Sequence, residues 1–282
     1  MNRLLIFGLG YSGTAIARAA EAAGFAVSGT TRAGGAGSIA FDAAEPAIRA
    51  ATHLVSTAGP DAEGDPVLAR YGSVIAASPG LRWIGYLSST VVYGDRGGGW
   101  VDEDTPAAAS QGRGQIRVEA EEAWCRFADY RAVDIFRLGG IYGPGRSAFD
   151  DLRAGRARRL VKPGHTFGRI HRDDIARAVV AAMQQDRLPG RRVLNLVDDE
   201  SSESAIVVTE AAKLLGVTPP PFVPFEVAYR DMSPMARSFW AENRKVASQK
   251  TKAALRIGWL YPTYREGLRA ILNEEGGEAA SA

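Results

Sequence analysis

The stretch Gly8-Leu9-Gly10-Tyr11-Ser12-Gly13 constrains this chain most. The apolar run Leu4–Phe7 precedes it, and the Ala-rich segment Gly13–Ala23, closed by Gly24, follows. A short apolar run reads as a buried strand, and an Ala-rich run ended by glycine reads as a helix. The glycines let the backbone turn tightly and come close to a diphosphate. The helix start then supplies free N–H groups and the positive end of its dipole. Placed at a strand-to-helix junction, Gly8, Gly10, Tyr11, Ser12 and Gly13 read as a dinucleotide-binding loop.

The next strand-like run, Ala26–Thr31, ends on Arg32. A site for NAD usually places a carboxylate here for the ribose hydroxyls, and this chain has none before Asp42. A guanidinium at Arg32 matches a 2′-phosphate by charge-assisted bonds, so NADP is expected over NAD. Asp42 follows the apolar Ile39–Phe41 and is expected either at the adenine end or as a helix cap.

Composition removes other classes. The chain has 282 residues, 46% hydrophobic and 23% charged, as a globular protein does. Thirty-four basic against 32 acidic residues leave a formal net charge of +2, no footprint for nucleic acid. The longest uncharged stretch, Leu4–Ala17, is broken by three glycines and is too short to span a bilayer. The single Cys125 permits no internal disulfide and is expected to pack as a core residue; a cytoplasmic location fits. No His, Cys and carboxylate set has ligand spacing, so no metal is expected.

Strand-like runs at His53–Thr57, Leu81–Ser88, Ala132–Leu138 and Arg192–Val197 alternate with helical ones, including Val118–Ala128, Asp173–Gln184 and Ser202–Leu215. Continuous apolar strands alternating with helices predict an α/β fold with a parallel sheet covered on both faces. The texture changes after Gly143. Arg146, Arg153, Arg156, Arg158 and Arg159 crowd one span, expected as an exposed basic helix and loop. Pro219-Pro220-Pro221 breaks the chain before an aromatic, helical region, and 276–282 are expected to fray. The aromatic residues Phe222, Phe225, Tyr229, Phe239 and Trp240 are expected as lobe core, some of them as pocket wall.

Three further stretches carry a resemblance. They are Tyr86-Leu87-Ser88-Ser89-Thr90-Val91-Val92-Tyr93-Gly94-Asp95, then Arg137-Leu138-Gly139-Gly140-Ile141-Tyr142-Gly143-Pro144-Gly145-Arg146, then His171-Arg172-Asp173-Asp174-Ile175-Ala176. With the glycine loop they resemble the extended short-chain dehydrogenase/reductases, the NAD(P)-dependent epimerase/dehydratase family, from Met1 to about Ile271. The resemblance implies a Rossmann-type doubly wound parallel sheet with a smaller C-terminal substrate lobe. The core is expected over 1–197, with 143–168 contributing to the lobe, and the lobe over 198–282. It also implies a hydroxyl at Ser89 that bonds the reacting oxygen. Dehydratase members place an Asp-Glu pair after that hydroxyl; here Thr90-Val91 stand there, which disfavours a sugar dehydratase.

The departure lies in the catalytic helix. The family's Tyr-x-x-x-Lys pair aligns with Arg113 and Arg117, and no tyrosine occurs between Tyr93 and Tyr130. An arginine is no general acid at neutral pH. In this respect, and in Trp100–Pro106 and Ser238–Asn243, the chain resembles an atypical branch of epimerase-like proteins. Arg117 is expected to keep the ribose-holding role, and Arg113 to meet an anionic group of the substrate or to sit exposed. Tyr93 is the first candidate proton donor and Tyr142 the second, or a pocket residue. His171 is expected as a structural hydrogen-bonder at a helix start. The expected activity is that of an NADP-dependent oxidoreductase or epimerase-like protein on a small or sugar-like carbonyl or alcohol. The alternative is a non-catalytic NADP(H) sensor or interaction protein. By resemblance, a homodimer would form through the helices around Gly64–Ala77 and Arg117–Ala128.

Overall fold

The computed structural model describes residues 2–109 and 111–279. Seven strands form one parallel sheet: β1 (Arg3–Phe7), β2 (Ala26–Thr31), β3 (Ile39–Ala40), β4 (His53–Ser56), β5 (Trp83–Ser89), β7 (Ala132–Leu138) and β11 (Gly190–Leu196). Their order is β11-β7-β5-β4-β1-β2-β3. β1 therefore lies between β2 and β4, which places the reversal of strand order beside the glycine loop.

Both faces of the sheet are covered, so its strands carry apolar residues on both sides. α1 (Tyr11–Ala22) and α6 (Arg172–Met183) cover one face, burying Leu4, Ile6, Phe136 and Leu194. α2 (Glu45–Ala50), α3 (Pro66–Ala76) and α4 (Gly112–Cys125) cover the other, burying Leu5, Phe7, Ile84 and Ile135. Each such side chain contributes roughly 1.5–3 kcal/mol by burial. Cys125 is half-buried against this second face, and burial pushes its thiol up.

The lobe has its own small core. Tyr142 and Phe149 pack with Val207, Tyr264 and Leu268, drawn from α5 (Ala148–Arg153), α7 (Ser204–Leu214) and α11 (Tyr264–Ala279). Very short parallel pairs stitch the lobe: β8 (Gly140–Tyr142) with β10 (Arg169–His171), and β9 (Arg159–Val161) with β12 (Phe222–Pro224). β6 (Trp100–Val101) pairs with β13 (Lys245–Val246). Between β12 and β13 lie α8 (Phe225–Tyr229) and α9 (Pro234–Trp240). After β13 the chain returns to the sheet layer. α10 (Gln249–Leu255) packs on β11 and α6, and Leu255 and Trp259 join the core beneath α1.

Three expectations are corrected. The helix expected at Val118–Ala128 begins at Gly112, because Gly114 lets it press against Ala109 and Val91, where a Cβ would collide. The span after Gly143 is no basic helix. α5 opens with Asp150 and Asp151 under a Ser147 capping box; Arg146, Arg153, Arg156 and Arg158 are exposed as expected, but Arg159 is buried with its guanidinium 3.6 Å from the Phe222 ring centre. The expected fraying from residue 276 does not begin there, since α11 continues to Ala279; residues 280–282 lie outside the described residues. None of the described helices is long and apolar enough to cross a membrane.

Candidate functional site

The glycine loop sits at the C-terminal end of β1, held from both neighbours. Thr30 on β2 accepts from the Gly8 amide through Oγ1 at 3.2 Å and from the Leu9 amide through its carbonyl at 2.8 Å. Thr57, just past β4, donates to the carbonyl of Phe7 or of Gly8, 3.1 and 2.8 Å away. α1 starts so close to this loop that a Cβ on Gly13 would strike the Gly8 carbonyl oxygen. Gly10 is different: a Cβ there would meet nothing within 4 Å. As the N-cap of α1 it makes no side-chain cap, and no acidic residue lies in the first turn. The free N–H groups of this helix start therefore face open space with no competing carboxylate, which fits an anion such as a dinucleotide diphosphate.

Tyr11 turns away from that opening. Its hydroxyl donates to the Pro144 carbonyl at 3.0 Å, and the Arg172 guanidinium lies 5.1 Å from its ring centre. Ser12 is buried. Arg32 is exposed at the end of β2 and has no hydrogen-bond or ion-pair partner among the described residues, so its guanidinium is available to a 2′-phosphate. Asp42 is also exposed, in a 3-10 turn at Phe41–Ala43. Its carboxylate lies 3.8 Å from the Arg70 guanidinium on α3.

Arg117 is the best-oriented cation of the crevice. Its Nη1 donates to the Tyr86 hydroxyl at 3.0 Å and to the Leu87 carbonyl at 3.2 Å. Its Nη2 reaches the loop after β4, 3.3 Å from where a Cβ of Gly59 would stand. Tyr86 in turn stacks on Trp124, whose indole N–H donates to Asp65 at 2.9 Å, and Asp65 caps α3. A chain of three side chains thus fixes the guanidinium between the ends of β4 and β5. The sequence points to Arg117 by alignment. Nothing in its spacing points to Tyr86, Trp124 or Asp65, which approach one another only when α3 and α4 pack.

One turn earlier, Arg113 is exposed, its guanidinium 5.2 Å from the ring centre of Phe239 on α9. It bridges the Rossmann layer and the lobe. Ser89, partly exposed at the end of β5, caps the following 3-10 turn, its Oγ accepting from the Val91 amide at 3.3 Å.

The two tyrosines do not join these groups, which corrects both as proton donors. Tyr93 is fully buried. Its hydroxyl lies 2.8 Å from Asn195 Oδ1 and 2.9 Å from the Asp102 carbonyl, so its proton serves an internal acceptor. Burial raises its pKa, and the Arg137 guanidinium 4.7 Å from its ring centre only partly offsets this. Tyr142 packs in the lobe core against His171 and α11, with its pKa also raised by burial. Beneath Ser89, the Ser88 hydroxyl donates to Glu121 at 2.5 Å, and Glu121 takes a bidentate pair from Arg137 at 3.1 and 2.7 Å. This buried network is floor rather than site. His171 caps α6, Nδ1 accepting from the Asp173 amide at 3.2 Å, as expected of a structural histidine.

No family model matches the chain. Protein YeeZ of Escherichia coli K12 is 31% identical over 140 residues, 49% of this chain and 47% of that protein. The chain thus spans about half the length of the curated relatives it matches. Among solved structures, a functionally unknown conserved protein of Silicibacter pomeroyi is 41% identical, with a TM-score of 0.89 over 98% of this chain and 99% of that one. A structure from Methylobacillus flagellatus, described as a candidate NAD-dependent epimerase/dehydratase, is 25% identical with a TM-score of 0.74 (97% and 98% covered). Human epimerase family protein SDR39U1, solved with NADPH, shares the fold at 20% identity and a TM-score of 0.75 (95% and 98% covered). The order of the sheet, the glycine loop and these likenesses converge: the chain belongs to the NAD(P)-dependent epimerase/dehydratase family of extended short-chain dehydrogenase/reductases, with arginines where that family's Tyr-x-x-x-Lys pair stands.

Proposed function

We propose that this chain binds NADP(H) across the C-terminal ends of β1 and β4. We propose further that it acts as an oxidoreductase or epimerase-like protein on a small or sugar-like carbonyl or alcohol. One observation carries the reading: the open, uncapped start of α1 at Gly10 lies on the same sheet edge as the fixed guanidinium of Arg117 beside Gly59. These match the diphosphate and the nicotinamide ribose of a dinucleotide. The likeness to SDR39U1, solved with NADPH, supports the choice of cofactor.

In this reading the α1 N–H groups hold the diphosphate and Arg32 holds the 2′-phosphate. Arg117 holds the nicotinamide ribose, a role that needs only donors and a positive charge. The bound nicotinamide supplies or accepts hydride. Ser89 bonds the reacting oxygen, and Arg113 draws an anionic group of the substrate to the mouth of the crevice. Neither arginine transfers a proton at neutral pH, Tyr93 is sealed, and Tyr142 packs in the lobe core. A reaction here therefore takes its proton from Ser89 or from water.

The test is a calorimetric titration of NADPH and NADH into wild type and Arg32→Ala. A preference for NADPH that collapses in the variant supports the reading; equal binding of both cofactors, unchanged by the variant, refutes the Arg32 role. The sealed Tyr93 and the arginines in place of the Tyr-x-x-x-Lys pair favour a second reading, a non-catalytic NADP(H)-binding sensor. Stereospecific transfer of deuteride from labelled NADPH to any member of a carbonyl panel would eliminate it.

A further inference from the structure

A cavity of about 440 Å³ opens in the lobe between the starts of α5, α7 and α11. That volume lies in the usual range of small-ligand pockets. Four guanidinium-bearing side chains line it: Arg146, Arg156, Arg158 and Arg169. The two carboxylates in its wall are already engaged. Asp150 accepts from the Ser147 amide and hydroxyl at 2.7 and 2.8 Å, and Asp151 pairs with Arg156 at 3.3 Å. Arg146, Arg158 and Arg169 have no ion-pair partner among the described residues. Asp198, whose amide donates to the Arg169 carbonyl, is pushed up by burial, with the Arg169 charge opposing the shift.

A second observation comes from the same wall. Tyr264 lines the cavity, is 1% exposed, and its hydroxyl has no hydrogen-bond partner among the described residues. A buried hydroxyl left unpaired costs about 1–3 kcal/mol. Ser204, the first residue of α7, adds a hydroxyl and the start of an 11-residue helix with no side-chain cap and no acid in its first turn. Val207, Val208 and Leu268 supply an apolar wall.

We infer that this lobe cavity binds a small phosphate monoester. Its dianion meets Arg158, Arg169 and the Tyr264 hydroxyl, and its apolar body lies on Val207, Val208 and Leu268. Forked guanidinium groups match the terminal oxygens of a phosphate in pairs, and several of them favour a dianion over a single carboxylate. The inference is independent of the NADP(H) reading, since none of these residues belongs to α1, β2 or α4.

The probes are phenyl phosphate and inorganic phosphate, titrated calorimetrically into the full chain with and without saturating NADPH. The expected result is tighter binding of phenyl phosphate than of phosphate, unchanged by NADPH. Arg158→Ala should weaken it by about tenfold, as loss of one charge-assisted contact does. Arg169→Met should weaken it further. Arg169 also bonds the Phe167 and Ser202 carbonyls, so its variant is read only if its thermal unfolding matches wild type. Arg158 makes no such bonds among the described residues, and its variant alone decides the matter. Equal affinity in wild type and Arg158→Ala overturns the site, as does competition by NADPH or no binding of phenyl phosphate at about 10 mM. Competition by NADPH would assign the phosphate to the glycine loop.

Discussion

The two walls of the crevice are built to opposite standards. On the Rossmann side, Gly8, Leu9 and Thr57 are tied to β1 and β2 by hydrogen bonds, and Arg117 is fixed by a relay through Tyr86, Trp124 and Asp65. On the lobe side, α9 buries no residue, and Phe222, Val227, Met235 and Phe239 are all more than half exposed. Cations lie over several of these rings: Arg159 on Phe222, Lys162 on Phe225, Arg237 on Tyr229 and Arg113 on Phe239. The rigid wall suits a ligand of fixed shape. The aromatic, cation-dressed wall can repack around different ones. Invariant chemistry is expected on the first and substrate choice on the second.

The largest expected effect tests the rigid wall. Gly13→Val should abolish NADPH binding by calorimetry, because its side chain must displace the Gly8 carbonyl. The thermal unfolding midpoint should fall with it. Next is Glu121→Ala, which strands the Arg137 charge in a buried site. Its loss should cost about 3–5 kcal/mol in urea unfolding, whereas removing Lys250 from its exposed pairing with Asp102 and Asp104 should leave the unfolding midpoint almost unchanged.

The pH dependence of stability separates the walls again. His53, in the sheet core, is lowered to about 4 by burial and the nearby Arg82 charge. The unfolded chain therefore binds its proton first, and stability falls as pH drops from about 6.5 toward 4. Asp198, in the lobe, is raised to about 8. Here the folded state holds the proton, and stability falls as pH rises from about 4 through 8. Each slope approaches about 1.4 kcal/mol per pH unit. Asp198→Asn should remove the decline between about pH 4 and 8 and, because the two windows overlap below about 6.5, steepen the net fall toward acid that His53 produces.

A smaller effect sharpens the relay. Tyr86→Phe removes one acceptor from Arg117, so NADPH affinity should fall about fivefold while 2′,5′-ADP, which lacks the nicotinamide ribose, should bind as before. Equal loss for both ligands would show a structural role alone. At the bottom of the scale, Met235→Ser on the exposed α9 should change stability by under about 0.5 kcal/mol.

Much of the rigid wall is legible in the sequence, because its rules are local. The boundaries Arg3–Phe7 and Ala26–Thr31 agree with the apolar runs, and the glycine spacing marks the turn between them. Tyr93 shows where local rules stop. Its spacing from Ser89 resembles a catalytic motif, but a 3-10 turn at Thr90–Tyr93 rotates the ring inward onto Arg137 and Asn195. β8, β9, β10 and β12 hold three residues each, too few for alternation to register. The lobe cavity is assembled from helix starts more than fifty residues apart, so clustered arginines in the sequence resemble surface charge rather than a pocket.

Several hydrogen bonds join the two walls, and one of them sets the Tyr11 hydroxyl on the Pro144 carbonyl. Pro144 belongs to the turn that launches the chain from β8 into α5, and a Cβ on its neighbour Gly143 would press on the same hydroxyl. This bond limits modularity. A lobe grafted from a relative must bring a turn that accepts Tyr11, or the recipient must give that tyrosine up. Recombination between members of the family should succeed when the 143–146 turn and the glycine loop come from the same parent.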